Sequence, residues 1–581
     1  MRSIEEITAA LSPLQPSPLS RDEILCFFAY LPASPLLIAR TGAPWKPIPL
    51  TTQWYVPYKR ELRPVGEHPI AAPGVWENHV GPALLAVLDQ ENVQWNTIDV
   101  HRIHYIEFDH EAPFPVVVCI GVKFGLLTGQ DGARVAERCQ AVLDDFGLAD
   151  VEVAIKASER FQLAAPAFEE PGEWIRPEKD PMAKSRMPFT FCVGFPLSNQ
   201  ARPGVQGSGG FFFTNGEDTS KVYLVTARHA VIETTTREKN TVYDHNSSAR
   251  PRRQDVTLFN EQSILDHMQT IRAELGSQSI DAEVYQRQVE YMQGKLNDKM
   301  QAGADRIPIA LIRHQDTLER AQESMVALET FYADAAKLYL SDLGRLLGFV
   351  SYAPPIGFSV GEHKYTEDVA IIELDANKID PSTFRPNVLD IGSERSLGDL
   401  TAMMGPRGSR GEDRASPIPF PFPFPLERLL ELRGGIVPDA ELRAPQQKDF
   451  NDDPCLMVLK RGAASGVTTG RLNNVPSYTR TYWADGTSDV SMEWPIFGYL
   501  HEKHKYARSF SERGDSGAVV VDGAGRIAGI LTSAAGLNDP SVKNRTSPLD
   551  DEANVTYMMA ADFIRDQMLT RGVDMNVNFT L

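Results

Sequence analysis

The chain has 581 residues, 42% hydrophobic and 23% charged, with 42 Gly and 41 Pro and a formal charge of −19. Collagen-like, wholly disordered and staple-dependent miniature proteins are excluded, because a chain this long buries its own core; at roughly 150 residues per domain it implies about four units. With 58 basic against 77 acidic residues it has no net positive field for nucleic acid, whose non-specific binding draws on phosphate neutralisation.

Five cysteines, Cys26, Cys119, Cys139, Cys192 and Cys455, are odd in number and lack CxxC spacing, which argues for a reducing compartment. Met1–Glu6 carries acid where a signal peptide needs base, and no apolar run reaches the ~18 residues of a membrane span. The expectation is an intracellular, cytoplasmic protein with no membrane contact.

Residues 1–185 form the first unit. Stretches 12–20 and 31–75 are Pro-rich. Pro82–Gln90 predicts a helix, Thr97–Phe108 and Pro115–Val122 strands, Asp131–Phe146 a helix and Val151–Ile155 a strand. That α-β-β-α-β order predicts a separate N-terminal α+β domain, followed by a charged, Pro-rich linker at Glu169–Met187. From Phe189 short β-like runs take over, and a first β-unit is expected over 188–400. It is interrupted at 258–347, where Ile264, Met268, Ile271 and Leu275, then Ala321, Met325, Leu328, Tyr332, Ala335 and Tyr339, repeat at 4-3 spacing. Gly303 and Pro308 break the pattern, so an antiparallel helical hairpin is expected. A strand follows at Asp368–Leu374. Residues 401–450 form a Gly/Pro-rich loop in which Pro alternates with Phe over 417–425, favouring an extended segment. A second β-unit is expected over 451–570, with strands across 455–535 and a helix ending Asp551–Thr570.

Gly514-Asp515-Ser516-Gly517 precedes the apolar run Ala518–Val521. A tight Gly-flanked turn presents a hydroxyl and turns backbone N–H groups to one side, as a nucleophilic serine requires. Such a tetrapeptide alone is a common turn. Two further motifs give it meaning. Thr226-Ala227-Arg228-His229 follows the apolar run Tyr223–Val225, and Asp368-Val369-Ala370-Ile371 opens another. His229, Asp368 and Ser516, in that order, resemble the trypsin/chymotrypsin-like serine peptidases, in their cysteine-poor intracellular or bacterial form. Ser208–Phe212, Lys460–Gly470 and Gly529–Ser533 are similar to the family's early strand, its second-barrel opening and its substrate-binding strand.

The resemblance implies a mainly β protein with α additions: a chymotrypsin-like double β-barrel carrying the hairpin as an insertion. It implies His229 as general base and then acid, Asp368 as its orienter, and Ser516 as nucleophile. Gly514 and Ser516 N–H groups would form the oxyanion hole. Thr532, Ser533 and Ala534 would pair with a substrate backbone, and Phe510, Ser511 and Thr532 would line the pocket for the residue before the cut. No metal or organic cofactor is implied; the partner is a protein or peptide substrate.

Some positions depart from the family. Insertions lengthen the intervals between triad members. Ala518 stands where Gly-Pro is common, and Phe510 stands where a charge-selecting acid would stand. No IVGG-type start lies near Arg186, so activation by a new N-terminus has no support. An α/β-hydrolase order fails because no histidine follows Ser516, and a subtilisin order lacks its early acid. His101 and His104 sit on opposite strand faces, beside Asp109 and His110, and His501/His504 miss HExxH spacing, so no metal is expected. Gly405–Gly411 lacks the Lys-Ser/Thr of a phosphate loop. The alternative reading is a peptidase-fold scaffold that binds extended peptides without cutting. The N-terminal unit and the hairpin are the candidate surfaces for a protein partner.

Overall fold

The computed structural model describes residues 11–43, 60–105, 114–163, 165–166, 185, 189–249, 251–301, 309–380, 384–392, 397–405, 422, 425, 428–449, 451, 453–499, 509–536 and 553–581. Their architecture is mainly β-sheet with helical additions. The 169–187 linker apart from Ser185, most of the 417–425 segment and His501/His504 lie outside the described residues.

Trp95–Tyr105 and Val116–Val122 pair antiparallel, with Val100 opposite Val118, and Val116–Val122 runs parallel to Glu152–Ala157. A parallel pair needs a crossover, which is the helix Gly129–Asp145. Thr128 caps it by accepting from the Asp131 N–H, and Val135, Ala136, Cys139 and Leu143 form its buried stripe.

The expectation of a separate N-terminal domain is corrected by the pairing. The free edge of Trp95–Tyr105 is met by Ser477–Tyr482, with Tyr478 opposite Ile98, and Glu159–Gln162 lies along Ile527–Gly536. One fifteen-stranded sheet therefore crosses from the N-terminal unit into the C-terminal one. Its core mixes Ile98, Val118 and Ile155 with Tyr478, Trp494 and Leu531. An unpaired edge exposes a row of N–H and C=O groups, and the same chain covers this one.

Between them lies a ten-stranded sheet in which Asp218–Thr226 pairs with Phe212–Asn215 and with Ala370–Leu374. Phe211, Phe213, Val225, Val350 and Ile372 fill its core. In the C-terminal part Leu456–Gly462 pairs with Gly466–Leu472 and with Val519–Asp522. Ser488–Gly498 pairs with Gly466–Leu472 and with Val555–Ala560, and Ile527–Gly536 joins Val555–Ala560 to Val519–Asp522. Asp551–Thr570 ends in a helix, as expected, and a strand not anticipated from the sequence precedes it. The helix is Ala561–Thr570, and the strand Val555–Ala560 is buried on both faces, which erases the alternation a strand usually shows. No described helix is long and apolar enough to cross a membrane.

The insertion consists of helices Glu261–Gln301 and Ile309–Tyr339. Ile264, Met268 and Ile271 meet Leu328 and Ala335 near its base, and Val289 meets Leu311 and Leu318 near its tip. It enters and leaves through strands that pair directly, Val256 opposite Gly348. Closing a loop there costs entropy that grows only logarithmically with length. Replacing residues 261–339 by a short Gly/Ser linker is therefore expected to leave a folded chain that still melts cooperatively, and an insoluble chain would make the helices part of the core.

Candidate active site

The pairing of Asp218–Thr226 with Ala370–Leu374 sets Thr226 opposite Ala370. The residues just past one strand end and just before the other therefore sit side by side. One helical turn, Arg228–Val231, directs His229 at Asp368. The His229 N–H donates to Asp368 Oδ1 at 3.1 Å, and Nδ1 lies 2.5 Å from Oδ2. A carboxylate only accepts, so Nδ1 carries a proton, and in the neutral ring that tautomer leaves the lone pair on Nε2. Nε2 lies 2.6 Å from Ser516 Oγ. Burial pushes the Asp368 carboxyl up, but the His229 ring, its hydrogen bonds and the Arg228 guanidinium outweigh this and hold it below its ordinary value. Arg228 is itself buried, donating to the carbonyls of Ala353, Pro354 and Thr241 at 2.6–2.9 Å.

The serine turn needs its glycines. Gly514 and Gly517 have φ of +107° and +88°, and a Cβ at Gly517 would lie 2.2 Å from Thr226 Oγ1. Ser208 fastens the turn: its Oγ donates to the Gly514 carbonyl at 3.0 Å and its N–H to the Ser516 carbonyl at 2.7 Å. Beneath lies Asp515, fully buried. Its carboxylate accepts from Lys460 Nζ at 2.9 Å, from Ser465 Oγ at 2.5 Å, and from the N–H groups of Glu512 and Ala464 at 3.0 Å. Lys460 is also fully buried, so the turn is held by an internal ammonium.

The expected substrate strand, Thr532 to Ala534, is already occupied. Ser533 is opposite Gln162 and Ala534 opposite Phe161, antiparallel. The Leu163 N–H donates to the Thr532 carbonyl at 3.3 Å, and the Leu163 carbonyl accepts from the Gly514 N–H. Leu163 is fully buried, in one apolar cluster with Phe510, Ala518 and Leu531. Ser511 directs its hydroxyl to Thr556 Oγ1, 2.7 Å away. The hydroxyls of Thr532 and Ser533 both donate to Glu493 Oε2 at 3.0 Å, and Glu493 also pairs with Arg160.

The structure thus brings His229, Asp368 and Ser516 together; the Leu163 backbone bonds Gly514 and Thr532, and Ala534 lies opposite Phe161. His101 stands apart: it is edge-on to Phe497 at 5.6 Å, and burial pushes its pKa down to about 3. Glu493 and Leu163 were not singled out from sequence, and Lys460 entered only as the first residue of the Lys460–Gly470 motif, with no role of its own. A lysine directly after the apolar run Leu456–Leu459 and an acid inside Met492–Phe497 were the available signals, since charges there must be paired. Nothing local marked Leu163. No protein-family model matches the chain, and the search of curated proteins finds no match either.

Proposed function

We propose that the protein is a serine endopeptidase that cuts peptide bonds through an acyl-enzyme on Ser516. The observation that carries this reading is the imidazole of His229 set between Asp368 and Ser516 with hydrogen bonds on both sides. His229 Nε2 takes the Ser516 proton as Oγ attacks the scissile carbonyl, then gives it to the leaving amine. Asp368 fixes the tautomer and stabilises the imidazolium. The N–H groups of Gly514 and Ser516 meet the developing oxyanion.

The chymotrypsin-like double barrel belongs to the same reading. Its support is the cycle of antiparallel pairings that runs from Leu456–Gly462 through five further strands and back. The apolar cluster around Phe510 and Leu163 supports a preference for an uncharged, aliphatic residue before the cut, since burying an unpaired Lys or Arg there carries a desolvation cost. The occupied cleft is the one observation that favours the alternative, a scaffold that binds extended peptides without cutting.

The test is a fluorophosphonate probe with the modified residue mapped by mass spectrometry. It uses the Leu163→Glu chain, whose charge cannot occupy the apolar pocket. Modification of Ser516, and a peptide-library profile led by Leu or Met before the cut, are expected. An unmodified Ser516 would return the protein to the scaffold reading, and a profile led by Lys or Arg would refute the pocket.

A further inference from the structure

We infer that the protein cuts its own chain after Leu163, with residues 159–166 serving as the substrate in cis. This rests on the peptidase reading. Both sides of the bond are held. On the amino side, Glu159–Gln162 is paired along Ile527–Gly536, and the Leu163 N–H bonds the Thr532 carbonyl. On the carboxyl side, Ala165–Pro166 pairs with Val205–Ser208, Ala165 opposite Gln206. That second strand is the one from which Ser208 fastens the serine turn. Between the two pairings the Leu163 carbonyl oxygen accepts from the Gly514 N–H, the group assigned to receive an oxyanion.

The side chains suit the cleft as well as the backbone does. Leu163 is fully buried in the same apolar core as Phe510 and Leu531. Three residues earlier, Arg160 pairs with Glu493 and donates to Thr481 Oγ1 at 3.1 Å. Phe161 lies 4.8 Å beneath the Arg513 guanidinium, on the turn that carries the serine. An aliphatic anchor and an arginine three residues before it, each in a matching site, make the segment a cognate sequence rather than a loop draped over the opening.

The chemistry closes with water as the only added reactant. Ser516 Oγ bonds to the Leu163 carbonyl carbon, its proton passing to His229 Nε2. The C–N bond to Ala164 breaks, and His229 gives that proton to the nitrogen, leaving a free amine on Ala164. Water, deprotonated by His229, then attacks the acyl-enzyme, releasing a Leu163 carboxylate and restoring Ser516. The two polypeptides, 1–163 and 164–581, stay associated, because strands of the first complete the sheet of the second. The arginine adds specificity: a truncated partner would leave Glu493 buried without its cation.

The experiment follows the full-length chain by intact mass and N-terminal sequencing. The expected result is two co-eluting polypeptides, the second beginning at Ala164, formed at a rate independent of protein concentration. Ser516→Ala should stay whole and should not be cut when mixed with active chain. Arg160→Ala is expected to slow cutting by about 10- to 100-fold, with Arg160→Lys recovering part of the loss. A wild-type chain that stays whole while Ser516 of the Leu163→Glu variant takes the phosphonate overturns self-cleavage and leaves the peptidase reading standing. A whole chain with no label on that variant overturns both. Cutting elsewhere, or at Leu163 in Ser516→Ala, also overturns the inference.

Discussion

Ser516→Ala and His229→Ala are each expected to lower the rate of peptide-bond hydrolysis by about 10⁶-fold, and the double variant by no more, because the two act as one unit. Asp368→Asn is expected to cost about 10³–10⁴-fold. An asparagine amide turned toward Nδ1 donates where the carboxylate accepted, so the proton moves to Nε2 and Ser516 loses its base. Glu367→Gln provides the control. Glu367 is also buried, but it pairs with Arg571 at 2.9 Å and not with His229. Turnover of a chromogenic peptide ending in Leu, measured in the Leu163→Glu background, gives the values. A loss confined to Glu367→Gln, with Asp368→Asn active, would move the orienting acid by one residue and overturn the assignment.

Lys460→Met is expected to remove about 3–5 kcal/mol of stability and to abolish labelling of Ser516, because it leaves the Asp515 carboxylate buried without its cation. Asp515 also has a pH signature. Burial pushes its carboxyl up, but Lys460, Ser465 and the N–H groups around it outweigh this and hold it below its ordinary value of 3.8. The unfolded chain therefore binds that proton more readily, so the stabilisation is present above about pH 4 and is lost as the pH falls through the folded value. In Lys460→Met the sign reverses: the unpaired carboxyl titrates upward, and lowering the pH should stabilise the variant. Thermal melts between about pH 3 and about pH 7 distinguish the two slopes. Adding Asp515→Asn to Lys460→Met should recover part of the loss. An unchanged melting temperature in Lys460→Met would show that the pair does not hold the turn.

The serine-bearing turn, the histidine and the aspartate were legible in the sequence because each stands at the end of an apolar strand, where local pattern and chemistry coincide. The helical insertion was legible because its seam is periodic and is satisfied within itself, Ile264 and Met268 against Leu328 and Ala335. What escaped the sequence depends on distant pairing. Glu159–Gln162 is a short run whose composition does not tell a strand from a linker, and its partner lies beyond residue 526. The Lys460–Asp515 pair joins two motifs that were each noticed for other reasons. Val555–Ala560 was not read as a strand because a strand buried on both faces has no alternation to read.

A single residue, Ser158, separates Glu159–Gln162 from the core strand Glu152–Ala157, and it is fastened through its N–H to Val122 and its carbonyl to Asn96. The segment in the cleft is thus an intramolecular ligand on a very short tether, and its effective concentration at Ser516 is set by the chain and not by the solution. Any peptide added from outside competes against that concentration. Its apparent dissociation constant is the intrinsic one divided by the fraction of molecules with the cleft open, while the half-life of the closed cleft limits how fast it can enter.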